Sequence, residues 1–224
     1  TGSPYESVYK GNTPDNQRIM HEEFKGQISL AIPVIPHIFQ FHNLSVNIAS
    51  TQIMYWQFYN KSQFFRETNY EPELFYQYRF HPNWLIRFAA DHQSNGRGGK
   101  LERSWNRAIA NLQFSGGNWL VSVKVWALIF KKESSDLHNP NIAKFLGHDN
   151  ILLAYKLHRF VFSVMLQIIE SGFHYGYVEG NVSYRLTPHI HVYVQYFNGY
   201  GQSLIEYDHR TQSVGVGMAF NDWI

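Results

Sequence analysis

The chain's 224 residues are enough to bury one substantial core, with hydrophobic residues at 44%, aromatic at 17% and charged at only 16%. A formal net charge of +2 gives no electrostatic footprint for a nucleic-acid partner, and the absence of cysteine excludes disulfides and thiolate metal sites. No run approaches the roughly 18 consecutive apolar residues of a membrane-spanning helix, so membrane residence would have to come from strands. The opening Thr1-Gly2-Ser3-Pro4 lacks the charged and apolar regions of a signal peptide, which predicts one removed or never present.

Residues 1–20 are polar and show no period. From Phe24 onward a period of two dominates. Phe24, Ile28, Leu30 and Ile32 alternate with Lys25, Gln27, Ser29 and Ala31, up to a breaker at Pro33 to Pro36. Leu44, Val46, Ile48, Ser50, Gln52, Met54, Trp56 and Phe58 share one face of the next segment. Tyr70, Leu74, Tyr76 and Tyr78 oppose Glu67, Asn69, Glu71 and Glu73. Trp84, Ile86, Phe88 and Ala90 then alternate with Arg87, Ala89, Asp91 and Gln93, and Ala108, Ala110 and Leu112 follow. The clearest stripe is Trp119, Val121, Val123, Val125, Ala127 and Ile129 against Ser122 and Lys124. Ile151 to Leu157, Phe160 to Ile168, Val192 to Tyr196 and Val214 to Phe220 complete the set.

About eleven or twelve strands are expected, in a single domain spanning 1–224 with no internal repeat or linker. A soluble sheet with one wet face shows the same alternation. The aromatic load and the second face rich in Glu67, Glu71, Glu73, Arg87, Asp91, Lys124 and Lys156 favour a membrane barrel with a polar interior.

His92 and Ser94 break the pattern: they fall on the apolar face of their strand, where a base and a hydroxyl have no routine structural purpose. Two residues apart on a strand, they leave the same side. A hairpin pairing 92 with 106 brings Asn106 across from His92, with opposed Cβ atoms about 4.5–5.5 Å apart. That layout supplies a nucleophile (Ser94), a general base (His92) and an orienting amide (Asn106). Gly96 lets backbone N–H groups approach an oxyanion. A histidine near a serine is by itself a weak signal; the shared apolar face and the matching asparagine strengthen it.

The run His92-Gln93-Ser94-Asn95-Gly96-Arg97, followed by Arg103-Ser104-Trp105-Asn106-Arg107, resembles the outer-membrane phospholipase A family. So do Phe65-Arg66-Glu67-Thr68-Asn69-Tyr70-Glu71-Pro72, Gly117-Asn118-Trp119-Leu120-Val121, Gly199-Tyr200-Gly201-Gln202-Ser203-Leu204-Ile205 and Val214-Gly215-Val216-Gly217. The resemblance covers residue 24 to the C-terminus. It implies a twelve-stranded antiparallel transmembrane β-barrel in the bacterial outer membrane. The implied activity is a calcium-dependent serine esterase, a phospholipase A1/A2 acting on phospholipid and lysophospholipid and switched on by homodimerisation. Its triad falls on Ser94, His92 and Asn106. Its calcium ligands fall on the backbone of Arg97, on Glu102 and on Ser62 of a second copy. Glu102 departs from the family's serine, yet a carboxylate is a hard oxygen ligand suited to calcium. The segment before Phe65 is shortened around Ser62, and the chain ends Trp223-Ile224 where such barrels often finish on an aromatic.

Gln52 lies on the apolar face between Ile48 and Met54, where an unpaired amide costs about 2–7 kcal/mol. Pairing with its own copy across a two-fold axis recovers those bonds, with Ile28, Leu30, Tyr70 and Phe220 joining the contact. Water reaching an interfacial Gln52 is the alternative. His189 and His191 share a face but lack a third metal ligand. Glu67, Glu71 and Glu73 read as an interior ion-pair network with Arg66, Arg87 and Lys124 rather than a glycosidase pair. The rival functions are a passive outer-membrane channel and a binding barrel without hydrolase activity.

Overall fold

The structure, a computed structural model, describes residues 6–36, 38, 43–129, 139–167 and 174–220. Among them eleven strands form one antiparallel sheet in chain order. These are β1 (Phe24–Ile35), β2 (Leu44–Trp56), β3 (Phe65–His81), β4 (Trp84–Ser94), β5 (Ser104–Gly116), β6 (Trp119–Leu128), β7 (Asp149–Leu157), β8 (Phe160–Gln167), β9 (Tyr177–Arg185), β10 (His191–Tyr200) and β11 (Arg210–Ala219). Two short helices accompany them, α1 (Glu6–Tyr9) and α2 (Ile142–Leu146). No helix among the described residues is long and apolar enough to cross a membrane.

The all-β antiparallel expectation is met. A twelfth strand has no counterpart among the described residues, where the alternating runs number eleven. The sequence pattern identified ten of them; β9 was missed because Gly180 interrupts its apolar row and Tyr177 places a ring on the opposite one. Pairing of Val164 with Gly180 and of Phe162 with Val182 puts that row on the apolar wall. Pro33 does not end β1, which continues to Ile35 across a register shift at Pro33/Ile35, the kind of irregularity that accommodates proline. Ile168, Trp223 and Ile224 lie outside the described residues.

Connections are unequal at the two ends. One end carries tight turns at Pro82–Asn83, Gly117–Asn118 and His158–Arg159. The other carries the long segments 57–64, 95–103, 129–148, 168–176 and 201–209. Outer-membrane barrels show this asymmetry. Near the tight turns, outward rings pack in series: Tyr78 with Phe80, Phe80 with Trp84, and Trp84 with Phe114 at 5.0 Å. Trp119–Tyr155 and Phe160–Tyr184 continue the belt, at 4.6 and 4.9 Å between centroids. Amphipathic rings prefer the membrane–water boundary, so this belt marks one interface level.

The sheet curls round a polar interior. Lys25 of β1 donates to Gln195 Oε1 of β10 at 3.2 Å, and Arg66 of β3 reaches Glu206 beyond β10 at 3.3 Å. Arg107 donates to Asp91 and Glu71, each at 2.7 Å, and Arg87 pairs with Glu73. An interior ion-pair network is therefore present, but among the described residues only Arg87, of the expected cations, pairs with an expected carboxylate: Arg97 serves Glu67, Arg107 serves Glu71, and Arg66 turns to Glu23 and Glu206. Asp91, Glu67 and Asn111 are buried, as are Arg107 and Ser122, so the interior at their level is filled rather than open to water.

The long-segment end is sealed from inside. Leu204, Ile205 and Tyr207 pack with Trp105, Trp126, Ile142 and Leu146 or with Tyr9 and Ile19. Gly199, at φ +147, lets this segment turn inward; a Cβ there would lie 2.3 Å from the Gly176 carbonyl oxygen. The N-terminal stretch, polar and ill-defined by composition, is docked: Tyr9 and Ile19 are buried, and Gln57 accepts the Met20 N–H at 2.7 Å. Among the described residues Tyr9 and Ile19, with Val8 beside them, anchor it without a periodic spacing.

Candidate active site on the outer wall

β4 and β5 pair with His92 opposite Asn106, Ser94 opposite Ser104 and Asp91 opposite Arg107, the register the sequence predicted. Because side chains alternate, the step from Asp91 to His92 crosses from interior to outer wall. Inside, Asp91 and Arg107 form a bidentate pair, with bonds of 2.7 and 2.8 Å. Outside, one rung away, His92 Nδ1 lies 2.8 Å from Asn106 Oδ1. An amide oxygen only accepts, so Nδ1 carries the proton and Nε2 is left basic. Ser94 leaves the same face as His92, and both are half-buried.

On the other side of β4, Tyr70 of β3 faces Ser94 and Glu73 faces Asp91 in constant register, which sets Pro72 opposite His92. No pairing is formed at that rung, since proline has no N–H to contribute. The row continues through Gln52, opposite Tyr70, to Ile28, opposite Gln52. One line across four strands thus carries Ile28, Gln52, Tyr70 and Ser94. Ile28, Leu30, Tyr70 and Phe220 are exposed, Leu30 by 69% and Phe220 by 71%, while Gln52 is half-buried between them.

The segment after Ser94 is stapled by Asn95, which is buried. Its Oδ1 accepts the N–H groups of Arg97 (3.3 Å) and Arg103 (2.9 Å), and its Nδ2 donates to the Leu101 carbonyl at 2.8 Å. Gly96 has φ +63, and a Cβ there would lie 3.0 Å from Tyr70 Cε2, so glycine answers both to backbone and to space. The Arg97 N–H is taken by Asn95, whereas the Gly96 N–H, two residues beyond Ser94, donates to no other described residue. Arg97 Nε donates to buried Glu67 Oε2 at 3.2 Å, and its guanidinium also reaches the Arg66 carbonyl.

Glu102 follows a 3-10 turn at Gly99–Leu101; its main-chain carbonyl accepts from Arg103 Nη1 at 2.7 Å. Among the described residues no side chain pairs with its carboxylate. Ser62 lies on the connection between β2 and β3. Its hydroxyl donates to Asp15 Oδ2 at 3.0 Å and its N–H to Gln17 Oε1 at 3.0 Å. No cluster of three or more histidine, aspartate or glutamate side chains is arranged for a metal among the described residues. His191 is buried and His189 exposed in the turn before it, so the two do not form a pair. Sequence reasoning missed the Asp91–Arg107 rung and the Asn95 staple, though the register that placed Asn106 also places Arg107 opposite Asp91.

A family profile described as Phospholipase A1 matches residues 1–220. The Phospholipase A1 of Proteus vulgaris is 40% identical over 210 residues, covering 90% of this chain and 70% of that protein. A crystal structure of the Salmonella typhi outer membrane phospholipase, a dimer with bound calcium, superposes with a TM-score of 0.80 at 38% identity, covering 89% of this chain and 79% of that one. An Escherichia coli outer membrane phospholipase A, an active-site variant with asparagine replaced by alanine, gives 0.83 at 36% identity, covering 93% and 81%. The chain belongs to the phospholipase A1 family of integral outer-membrane proteins.

Proposed function

We propose that this protein is a calcium-dependent phospholipase that hydrolyses acyl esters of phospholipids and lysophospholipids at the outer wall of a twelve-stranded barrel, and that it acts as a homodimer. The observation that carries the reading is the 2.8 Å bond between His92 Nδ1 and Asn106 Oδ1 on the apolar wall, one side chain along from Ser94. A charge-neutral orienter suits that location, because an unpaired carboxylate facing hydrocarbon is costly.

In this reading His92 Nε2 takes the proton from Ser94 as its oxygen attacks the ester carbonyl. The same nitrogen returns the proton to the leaving lysophospholipid alcohol, and water later repeats the cycle on the acyl-enzyme. Asn106 holds the tautomer that keeps Nε2 basic. The Gly96 N–H faces the developing oxyanion; a donor of this kind is worth about 10²–10³ in rate.

The residues present fit calcium. The Arg97 carbonyl, the Glu102 carboxylate and Ser62 of a second copy are hard oxygen donors, and Glu102 has no competing partner among the described side chains. Because Ser62 donates its hydroxyl proton to Asp15, its oxygen lone pairs stay available to a cation. Held by these residues, calcium would supply positive charge that favours developing negative charge on oxygen. Gln52, set among exposed Ile28, Leu30, Tyr70 and Phe220, supports the dimer reading: a copy of itself is the partner that returns its hydrogen bonds. The filled interior argues against a passive channel.

The deciding experiment is fatty-acid release from phospholipid–detergent micelles by purified protein, with calcium and with chelator, beside Ser94→Ala. Calcium-dependent release that the variant loses while keeping its fold is the expected result. Release retained by Ser94→Ala, or ion conductance without hydrolysis, would overturn the reading.

A further inference from the structure

The glycine beside the proposed nucleophile is followed by an arginine held by one buried carboxylate. Glu67, on the interior face of β3, is wholly buried. Its Oε2 accepts from Arg97 Nε at 3.2 Å. Its Oε1 accepts from Asn69 Nδ2 at 3.0 Å and from the Ile205 N–H at 3.3 Å. Glu67 therefore joins the segment 95–103 to the inward-folded segment 201–209, while the outward side of the same segment faces Ser94.

The two attachments differ in redundancy. Segment 201–209 is also seated by Arg66 on Glu206 and on Ser203, by Asn69 Oδ1 on the Leu204 N–H at 2.9 Å, and by Tyr55 on the Gln202 carbonyl. The side-chain bonds of Asn95 run within 95–103 itself, so they fold that segment without fixing it against β3. Its side-chain attachment to β3 runs through Arg97, to Glu67 and to the Arg66 carbonyl.

We infer that Glu67 is a positioning residue for the ester hydrolysis proposed above: by holding Arg97, which in turn is bonded through its N–H to Asn95, it fixes the Gly96 backbone against Ser94. This rests on the phospholipase reading. It acts on the reacting atoms only through the backbone it holds. Its loss therefore lowers turnover while leaving substrate capture on the outer wall intact.

The test compares wild type, Glu67→Gln, Arg97→Gln and the double variant in mixed micelles at saturating calcium, with folding followed by the mobility of the unboiled protein in detergent gels. Glutamine keeps the shape and an acceptor but removes the charge on which Arg97 rests. The expected result is a ten- to hundredfold fall in kcat with KM within threefold, and a double variant no slower than the slower single one. Glu67→Gln with kcat within twofold of wild type, losses that multiply in the double variant, or kcat and KM shifting together overturn the inference. If Glu67→Gln does not fold, Arg97→Met is read against the same thresholds. An inactive wild type overturns both readings, whereas active wild type with active Glu67→Gln overturns only this one.

Discussion

His92 and Asn106 meet across β4 and β5 on the rung adjacent to the buried Asp91–Arg107 pair, so the interior ion pair and the exterior hydrogen bond set one register. A slip of one residue would carry His92 and Ser94 into the interior and strip both pairs at once. The site is built on paired strands, which hold a side chain more tightly than a loop does.

Asn106→Ala removes the acceptor for Nδ1–H and is expected to lower kcat by about 10²–10⁴, the range of a misoriented general base. Asn106→Asp restores an acceptor and should recover most of that loss. Steady-state release of fatty acid at fixed calcium measures both; equal activity in all three proteins would remove Asn106 from the mechanism.

Asp91→Ala leaves Arg107 buried beside Glu71 alone. Breaking a buried ion pair from one side typically costs about 3–5 kcal/mol, and this pair also stacks near Trp105 and Trp126. The urea midpoint should fall, and kcat with it, because His92 and Asn106 share the ladder. An unchanged midpoint would mean that the register is set elsewhere.

Gly96→Ala meets two obstacles, a left-handed backbone costing about 1–2 kcal/mol and the Tyr70 ring 3.0 Å from the new methyl. Turnover should drop with the barrel intact. Combining it with Tyr70→Ala should recover the steric share and not the backbone share, read as a partial return of kcat.

Glu102→Ala is expected to raise the calcium concentration for half-maximal hydrolysis by about tenfold or more, since a carboxylate is the strongest ligand type in the proposed set. Chelator should abolish hydrolysis in wild type and variant alike. An unshifted calcium curve would leave Glu102 outside the site.

Gln52→Leu replaces an amide on the apolar wall by a side chain that needs no partner. Self-association in detergent, followed by cross-linking or sedimentation, should weaken while the unboiled gel mobility stays that of folded protein. Undiminished association would move the dimer contact away from this row.

The sequence by itself determined the sheet and its parity. Alternation decides which side chains face lipid, and the anomaly of His92 and Ser94 on that face was visible because a period of two leaves no freedom about sides. A hairpin register then placed Asn106. What alternation cannot carry is contact between distant strands. Glu67 reads only as a polar interior residue, and nothing local says that it will hold Arg97 or meet Ile205. Tyr9 and Ile19 look unremarkable in a polar stretch, yet the folded end of the sheet offers them a buried seat. Only the tertiary structure decided these, because curling the sheet brings β1–β3 against segment 201–209, and the charges buried there must find partners wherever the curl delivers them.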